Sequence, residues 1–430
     1  MAFARTRVGM WIRPAAVVTV LMALLSIMYL GYIVDPEKNL HDYPIALVNQ
    51  DVGDTLNGQR VNVGDQIADA LIEQIPRDKV ELRVMGLPEL QRNMLDGAVY
   101  GAIVIPGDFT KRLGILAAAS VVPGDVERPI ITVQTNPGVG AYATQIMLRV
   151  ADQALAQVNG TVGEQLTEAV REQLQPPSGE PPGEISGASR LVLAEPIDIA
   201  TVPARSLPAG AGGGLTAFFY TLLLLLAGFT GAMIIHTMVD ASLGFTPTEY
   251  GPWYVHYPPT PISRVRTLLM KWGILAIVAP VVSAVFLAVA TVLGVSVQRG
   301  PMLFLYGTLA VFAVGVGALA ILAAFGAAGM LVNLIVFIVL GLPSAGGTVP
   351  IEATPQFMAW LSTFEPMHQV FLAVRAILYY DARATAGLAH GTWMTLLGLV
   401  AGLAFGLFIT VLYDRKGLER KVADSNASAR

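Results

Sequence analysis

Few side chains in this sequence have the types and spacing that chemistry requires. There is no Cys among 430 residues, so a disulfide framework, a thiolate metal site and a Cys nucleophile are excluded. No Gly-x-x-x-x-Gly-Lys-Ser/Thr run occurs, so the chain cannot bind ATP through a phosphate loop of that kind. His236 and Asp240 are four apart and share a helix face. No third ligand follows nearby, and two ligands specify little, so the pair is expected to end a span at the membrane surface. Glu365 and His368 have the Glu-x-x-His spacing that di-metal bundles use in pairs, but one copy is present and Pro366 interrupts it. No nucleophile–base constellation appears, and the expectation is a chain with no catalytic residue, no metal and no cofactor. What remains is the chemistry of a pathway. Asn333 is strongly polar within an apolar stretch, where Asn more often joins helices than holds a substrate. Pro343, Ser344, Gly346, Gly347 and Pro350 then break that stretch. Pro and Gly at membrane depth release backbone groups that protein or a water-filled cavity must satisfy. Two readings stay open: the span simply ends there, or the segment re-enters and gates a pathway.

The elements that would position these residues follow from hydropathy, since 54% of the chain is hydrophobic and 13% charged. A span needs about 20 apolar residues. Runs at 15–34, 217–235, 268–297, 302–322 and 392–413 qualify, and 330–342 starts a further crossing that the break interrupts. Arg5, Arg7 and Arg13 precede the first run, and Arg415, Lys416, Arg420 and Lys421 follow the last. By the positive-inside rule the first run is a retained signal anchor and both termini are cytoplasmic. The longest connection on that side, 239–267, carries Glu249, Arg264 and Arg266 with Trp253, Tyr254 and Tyr257. Lys271 is expected to snorkel toward the same surface. No Asp or Glu falls inside the apolar cores, which argues against a proton-driven transporter.

Charge separates the remaining region. Residues 35–213 hold 23 acidic and 13 basic side chains, the rest of the chain 8 and 14. That region is too polar to cross and reads as an acidic α/β domain outside the membrane. Strands are expected at 43–48, 80–84, 100–105 and 129–134 by their apolar runs. Helices are expected from Gly64 with Asp65 as N-cap, at 87–95, after Asp108, and along 139–174, where Gly160 and Gly163 weaken the middle. Residues 175–187 read as a Pro/Gly/Ser-rich linker and 191–202 as extended chain. The expected fold is a polytopic α-helical membrane protein with six transmembrane helices and an α/β extracytoplasmic domain between the first and second. Its segments are 1–34 (tail and first helix), 35–213 (ectodomain and linker), 214–413 (five-helix membrane domain) and 414–430 (cytoplasmic tail).

Several stretches together carry a resemblance. The turn from Ser344 through Gly346, Gly347 and Pro350, then Pro355, Phe357, Glu365, Pro366, Met367, Val370 and Arg375, is similar to the signature after the fifth span of the phage-infection-protein (Pip/YhgE) family of ABC type-2 membrane proteins. In the ectodomain, residues 45–51 with Asn49 and Asp51, then 61–64 ending in Gly64, resemble the family's first strand and turn; 97–106 ending in Pro106, followed by Phe109, resembles its second hallmark. The ectodomain is much shorter than in many members. The resemblance implies an export permease subunit, dimeric with a second permease half as homo- or heterodimer, in the bacterial inner membrane among its lipids. It implies a separate ABC ATPase subunit, for which Glu249, Arg264 and Arg266 are candidate contacts, and an amphipathic or lipid-like cargo. It equally allows a scaffold or secretion and cell-envelope accessory protein that binds partners through its ectodomain. No nucleic-acid partner is expected.

Overall fold

The computed structural model describes residues 2–56, 59–119, 127–174 and 187–418. Almost all of the linker expected at 175–187, and the basic pair Arg420 and Lys421, lie outside the described residues. The chain divides into two compact units, one of Met1–Asp35 with Pro208–Arg430 and one of Pro36–Leu207. Helix α1 (Ala2–Ile33) opens the first unit, and the chain then builds the second.

That second unit is α/β. Its elements in order are β1 (Tyr43–Asn49), β2 (Asp54–Leu56), β3 (Gln59–Val61), α2 (Val63–Gln74), β4 (Val80–Val84), α3 (Leu87–Leu95), β5 (Gly101–Ile105), α4 (Phe109–Ala119), β6 (Ile130–Thr135), α5 (Ala141–Gln173), α6 (Gly187–Ala194) and β7 (Asp198–Pro203). Five strands form one sheet in the order β4-β1-β5-β6-β7. β1 runs parallel to β4 and β5, β6 is antiparallel to β5, and β7 is parallel to β6. Covered on both faces, β1 and β5 are near-continuous apolar runs, as buried parallel strands are. One core packs Leu90 and Met94 of α3 against Ala46, Val48, Ala102 and Val104 of the sheet.

Two expectations are corrected here. The N-cap of α2 is Asn62, not Asp65: Asn62 is extended and its Oδ1 accepts the Asp65 N–H at 3.0 Å. Residues 191–202 are not extended throughout, because α6 fills their start before β7 begins. The same packing accounts for Gly163. A Cβ there would meet the backbone carbonyls of Leu193 and Ala194, so the Gly lets α6 approach α5 closely.

The first unit continues with α7 (Leu215–Ser242), a hairpin of β8 (Thr248–Tyr250) and β9 (Trp253–Val255), α8 (Arg264–Val292), α9 (Gly300–Phe325) and α10 (Ala328–Leu334). A π-helical turn, Ile335–Val339, leads into α11 (Gly341–Ser344), then α12 (Gln356–Ser362) and α13 (Pro366–Tyr379). A second π-helical turn, Ala384–Leu388, leads into α14 (Ala389–Arg415). Among the described residues five helices are long and apolar enough to cross a membrane: Ile12–Ile33, Gly212–Ser242, Arg264–Val292, Gly300–Phe325 and Ala384–Arg415; Ala328–Ser344 is a shorter apolar helix. This is the fold of a polytopic helical membrane protein.

Small residues let the backbones of this unit approach, as membrane interfaces require. A Cβ on Gly228 of α7 would collide with Val314 of α9, one on Gly307 with Ser283 of α8, and one on Gly406 of α14 with Trp272 of α8. Bonds between connections then tie the helix ends into two groups. At one end Ser296 N–H donates to Ala209 O at 2.9 Å. There too Arg299 forks onto Asp381 at 2.8 and 3.1 Å. At the other end the start of α8 is bonded to the end of α14, and Tyr413 Oη donates to Ala324 O at 2.9 Å. The carboxyl end of α1 docks through Tyr29 Oη on Ile338 O at 3.0 Å and Tyr32 beside Thr348 at 3.1 Å.

Candidate functional site

The break after α11 is packed inside the protein. Pro343, Ser344, Gly347 and Pro350 are all buried. Ser344 Oγ donates back to Leu340 O, four residues earlier, at 2.6 Å. Gly346 reverses the chain at φ 74°, and a Cβ there would press on Ile351. Gly347 lies against Phe218 of α7, where a Cβ has no room. The returning chain reaches Glu365, which caps α13: Oε2 accepts the N–H of Met367 at 2.7 Å and of His368 at 3.2 Å. Its other oxygen, Oε1, is buried without a partner. His368 Nδ1 lies 3.0 Å from Ala345 O, so Nδ1 carries the proton and donates. The Glu-x-x-His spacing thus serves a helix start and a tie across the break. Both residues lie outside the five span helices. Burial pushes the Glu365 carboxyl up to about 8, against the lowering effect of its two N–H donors. Burial holds the His368 imidazole down at about 4. Two helical turns on, the Arg375 guanidinium rests on Phe371 and Tyr380 at 5.6 and 5.8 Å. Asn333 is fully buried, and its Nδ2 donates to Ala318 O at 3.1 Å, joining α10 to α9.

At the opposite end, three charged or ionisable groups meet that sequence reading kept apart. Lys271 does not snorkel; it is 3% exposed and its Nζ donates to Asp240 Oδ1 at 2.6 Å. Asp240 is buried near the end of α7, which continues to Ser242. An ammonium only donates. Lys271 Nζ, 3.0 Å from His236 Nδ1, therefore places the imidazole proton on Nε2, which faces Asp240 Oδ2 at 3.3 Å. The result is a closed triangle between α7 and α8. Its sequence signal was an acid–imidazole pair ending one span and a Lys one turn inside the next.

The connection between these helices is shorter than expected, since 239–242 and 264–267 are helical and a hairpin fills part of the rest. Ser263 caps α8 by accepting the Arg266 N–H at 3.3 Å. Arg264 is built into the bundle. Its N–H donates to Asp414 Oδ1 at 2.9 Å, its Nε to Leu418 O at 2.8 Å, and its guanidinium lies 5.2 Å over the Tyr413 ring. Glu249 on the hairpin and Arg266 remain exposed. Arg264 joins His236, Asp240, His256 and Tyr413 around a cavity of about 750 Å3.

In the α/β unit the motif residues converge on Asp51. Its Oδ2 accepts the Gly64 N–H at 3.0 Å and the Thr110 hydroxyl, and its Oδ1 accepts the Thr110 N–H at 3.2 Å. Asn49 Oδ1 accepts the Asp51 N–H at 3.0 Å, and a Cβ on Gly64 would overlap the carboxylate. Pro106 O accepts the Phe109 N–H at 3.2 Å, which seats the fully buried Phe109 and aims Thr110 inward. Thr110 was missed in the sequence, where a Thr after an apolar residue carries no signal. These residues make a knot that joins β1, α2 and α4, with the carboxylate consumed by internal donors.

With that geometry in place, the comparisons can be stated. The family described as "Protein of unknown function (DUF3533)" matches residues 15–416. "Uncharacterized protein YhgE" of Bacillus subtilis (strain 168) is 26% identical over 136 residues, which cover 32% of this chain. The match spans 17% of that relative's own length. No solved structure matches.

Proposed function

The chain belongs to the DUF3533 family of proteins of unknown function and is akin to the YhgE/Pip proteins; from that premise we propose that it is an ABC type-2-like export permease subunit. In this reading the chain crosses the bacterial inner membrane six times with both termini cytoplasmic, the sixth crossing being the shorter apolar helix Ala328–Ser344. The α/β unit is extracytoplasmic. Two permease halves pair as a dimer, a separate ATPase supplies energy, and the cargo is amphipathic or lipid-like.

One observation carries the proposal. The connection between α7 and α8 is rooted on both sides: at α7 through the buried Asp240–Lys271 pair, and at α8 through Arg264 on the end of α14. Between those roots Glu249, Trp253 and Tyr254 of the hairpin are exposed, as is Arg266 just past Arg264. A protein pushing on the hairpin would therefore displace three span helices together, as an energy-coupling element must.

The test is co-purification from mild detergent. The wild-type protein should retain an ATPase, and the pair Glu249→Arg with Arg266→Glu should release it while leaving monodispersity and thermal stability unchanged. Arg264 is unsuitable for this purpose because its loss would loosen the bundle itself. An ATPase held equally well by the double variant would remove the connection from the docking role. A wild-type preparation carrying envelope proteins and no ATPase would overturn the exporter reading in favour of an accessory protein.

A further inference from the structure

Arg375 carries a charge that no described residue neutralises. It lies in α13 with 9% of its surface exposed. Among the described residues none of its N–H groups has an acceptor, and no carboxylate pairs with it. Its neighbours are the aromatic faces of Phe371 and Tyr380, both buried. A guanidinium keeps its proton in a protein, and buried charges are ordinarily paired. The acids nearest along the chain are committed elsewhere. Asp381 is forked by Arg299 at 2.8 and 3.1 Å. Glu365 caps the start of α13, and with its carboxyl pushed up to about 8 it is uncharged at neutral pH. The negative end of a helix dipole acts within the last turn, and Arg375 precedes the last turn of α13, which ends at Tyr379.

The surroundings add positive charge. Burial is the main cause of the depressed His368 imidazole, and the charges of Arg375 and His390 deepen it. Of the guanidinium nitrogens, Nε is sealed inside the protein, whereas Nη1 and Nη2 keep exposed surface. Those two nitrogens belong to the fork that grips both oxygens of a carboxylate or phosphate. One turn further on, Tyr379 Oη donates to Ala211 O at 3.2 Å and accepts the Ala217 N–H at 3.0 Å. Arg375 therefore sits one turn, roughly 6 Å, inside the end of the bundle where Arg299 meets Asp381. The ends of membrane-crossing helices lie near the lipid headgroups, where phosphate is the common anion. The opening is small. From residue 367 to 379 all of α13 except His368 and Leu372 is buried, which suits a small anionic group better than a helix of another protein.

We propose that Arg375, through Nη1 and Nη2, binds a phosphate group, carried by a lipid headgroup or free in solution. The inference rests on the membrane fold alone and holds for an exporter and a scaffold alike.

The experiment follows the melting temperature of the full-length protein. In detergent, inorganic phosphate is titrated against chloride at matched ionic strength. In nanodiscs, phosphatidic acid mixed into phosphatidylcholine is compared with phosphatidylcholine alone. Stabilisation by both probes reports a site open to free phosphate, and stabilisation by phosphatidic acid alone reports a lipid site; each supports the proposal. Arg375→Met should then weaken the apparent affinity for the effective probe at least about tenfold, the scale of one charge-assisted hydrogen bond. Arg375→Lys keeps the charge and the stem but loses the fork, and should bind more weakly than the wild type. Unchanged affinity in either variant overturns the proposal, because the anion then binds elsewhere. A wild type that responds to neither probe overturns it too. If that unresponsive protein is a dimer by native mass spectrometry and Arg375→Lys dissociates it, the occupant is an acidic side chain of a second copy. Should Arg375→Met fail to fold, the wild-type arms and Arg375→Lys decide the matter.

Discussion

Lys271 illustrates how much a single side chain commits. Its ammonium and the Asp240 carboxylate are both nearly inaccessible and lie 2.6 Å apart. Removing one member of such a pair leaves an uncompensated buried charge, whereas replacing both with apolar residues is often neutral or better. Lys271→Met should therefore destabilise the protein by about 3–5 kcal/mol, read as a marked fall in melting temperature in detergent. The double variant Asp240→Leu with Lys271→Met should recover most of that loss. If the double variant melts as low as the single one, the pair is not the unit of stability described here. The sequence supplied His236, Asp240 and Lys271 as types but not their meeting. They lie on two helices separated by a polar connection, and helical periodicity carries no information about which faces oppose. Glu365 and His368 were legible as a spacing; that they cap and tie could be seen only once the chain had turned back on itself.

Among the elements, long ones were legible and short ones were not. The long spans and the strands at 43–48 and 80–84 carry their own periodicity or apolar runs, and the structure has an element at each, though α7 runs on to Ser242 where the expected span stopped at 235. Residues 343–391 defeated the same reasoning, because α11, α12 and α13 are short and depend on tertiary partners such as the Glu365 cap. The break itself favours a packed element over a wet surface loop. Gly346 sits at φ 74° beside Ile351. Gly346→Val should therefore cost roughly 1–3 kcal/mol, the usual range for a residue held in a disfavoured backbone region. Gly347→Val should cost a similar amount for a different reason, overpacking against Phe218. The check is denaturation in detergent beside Gly326→Val, a glycine with positive φ where a Cβ would meet open space. If Gly347→Val melts as the wild type does, the close packing of the break on α7 is refuted.

For the whole molecule, the bonds among connections make an orientation test direct. The residues around Ala209, Ser296 and Arg299 gather at one end of the bundle and those around Arg264, Ala324 and Tyr413 at the other. The proposed orientation sets Asp78 of the α/β unit outside the cell and Glu249 inside. Because the chain lacks Cys, single Asp78→Cys and Glu249→Cys variants give clean probes. An impermeant thiol reagent on intact cells should modify the first and spare the second until the cells are opened. Modification of Cys at 249 in intact cells would reverse the proposed orientation. The docking of α1 has a further consequence, in time. Tyr29 bonds the carbonyl of Ile338, 309 residues later in the chain. At roughly 5–20 residues per second of synthesis, about 15–60 s pass before that partner exists. Even in the finished fold the span of α1 is only 6% buried, so the helix is built to wait in lipid while the ribosome completes its neighbours.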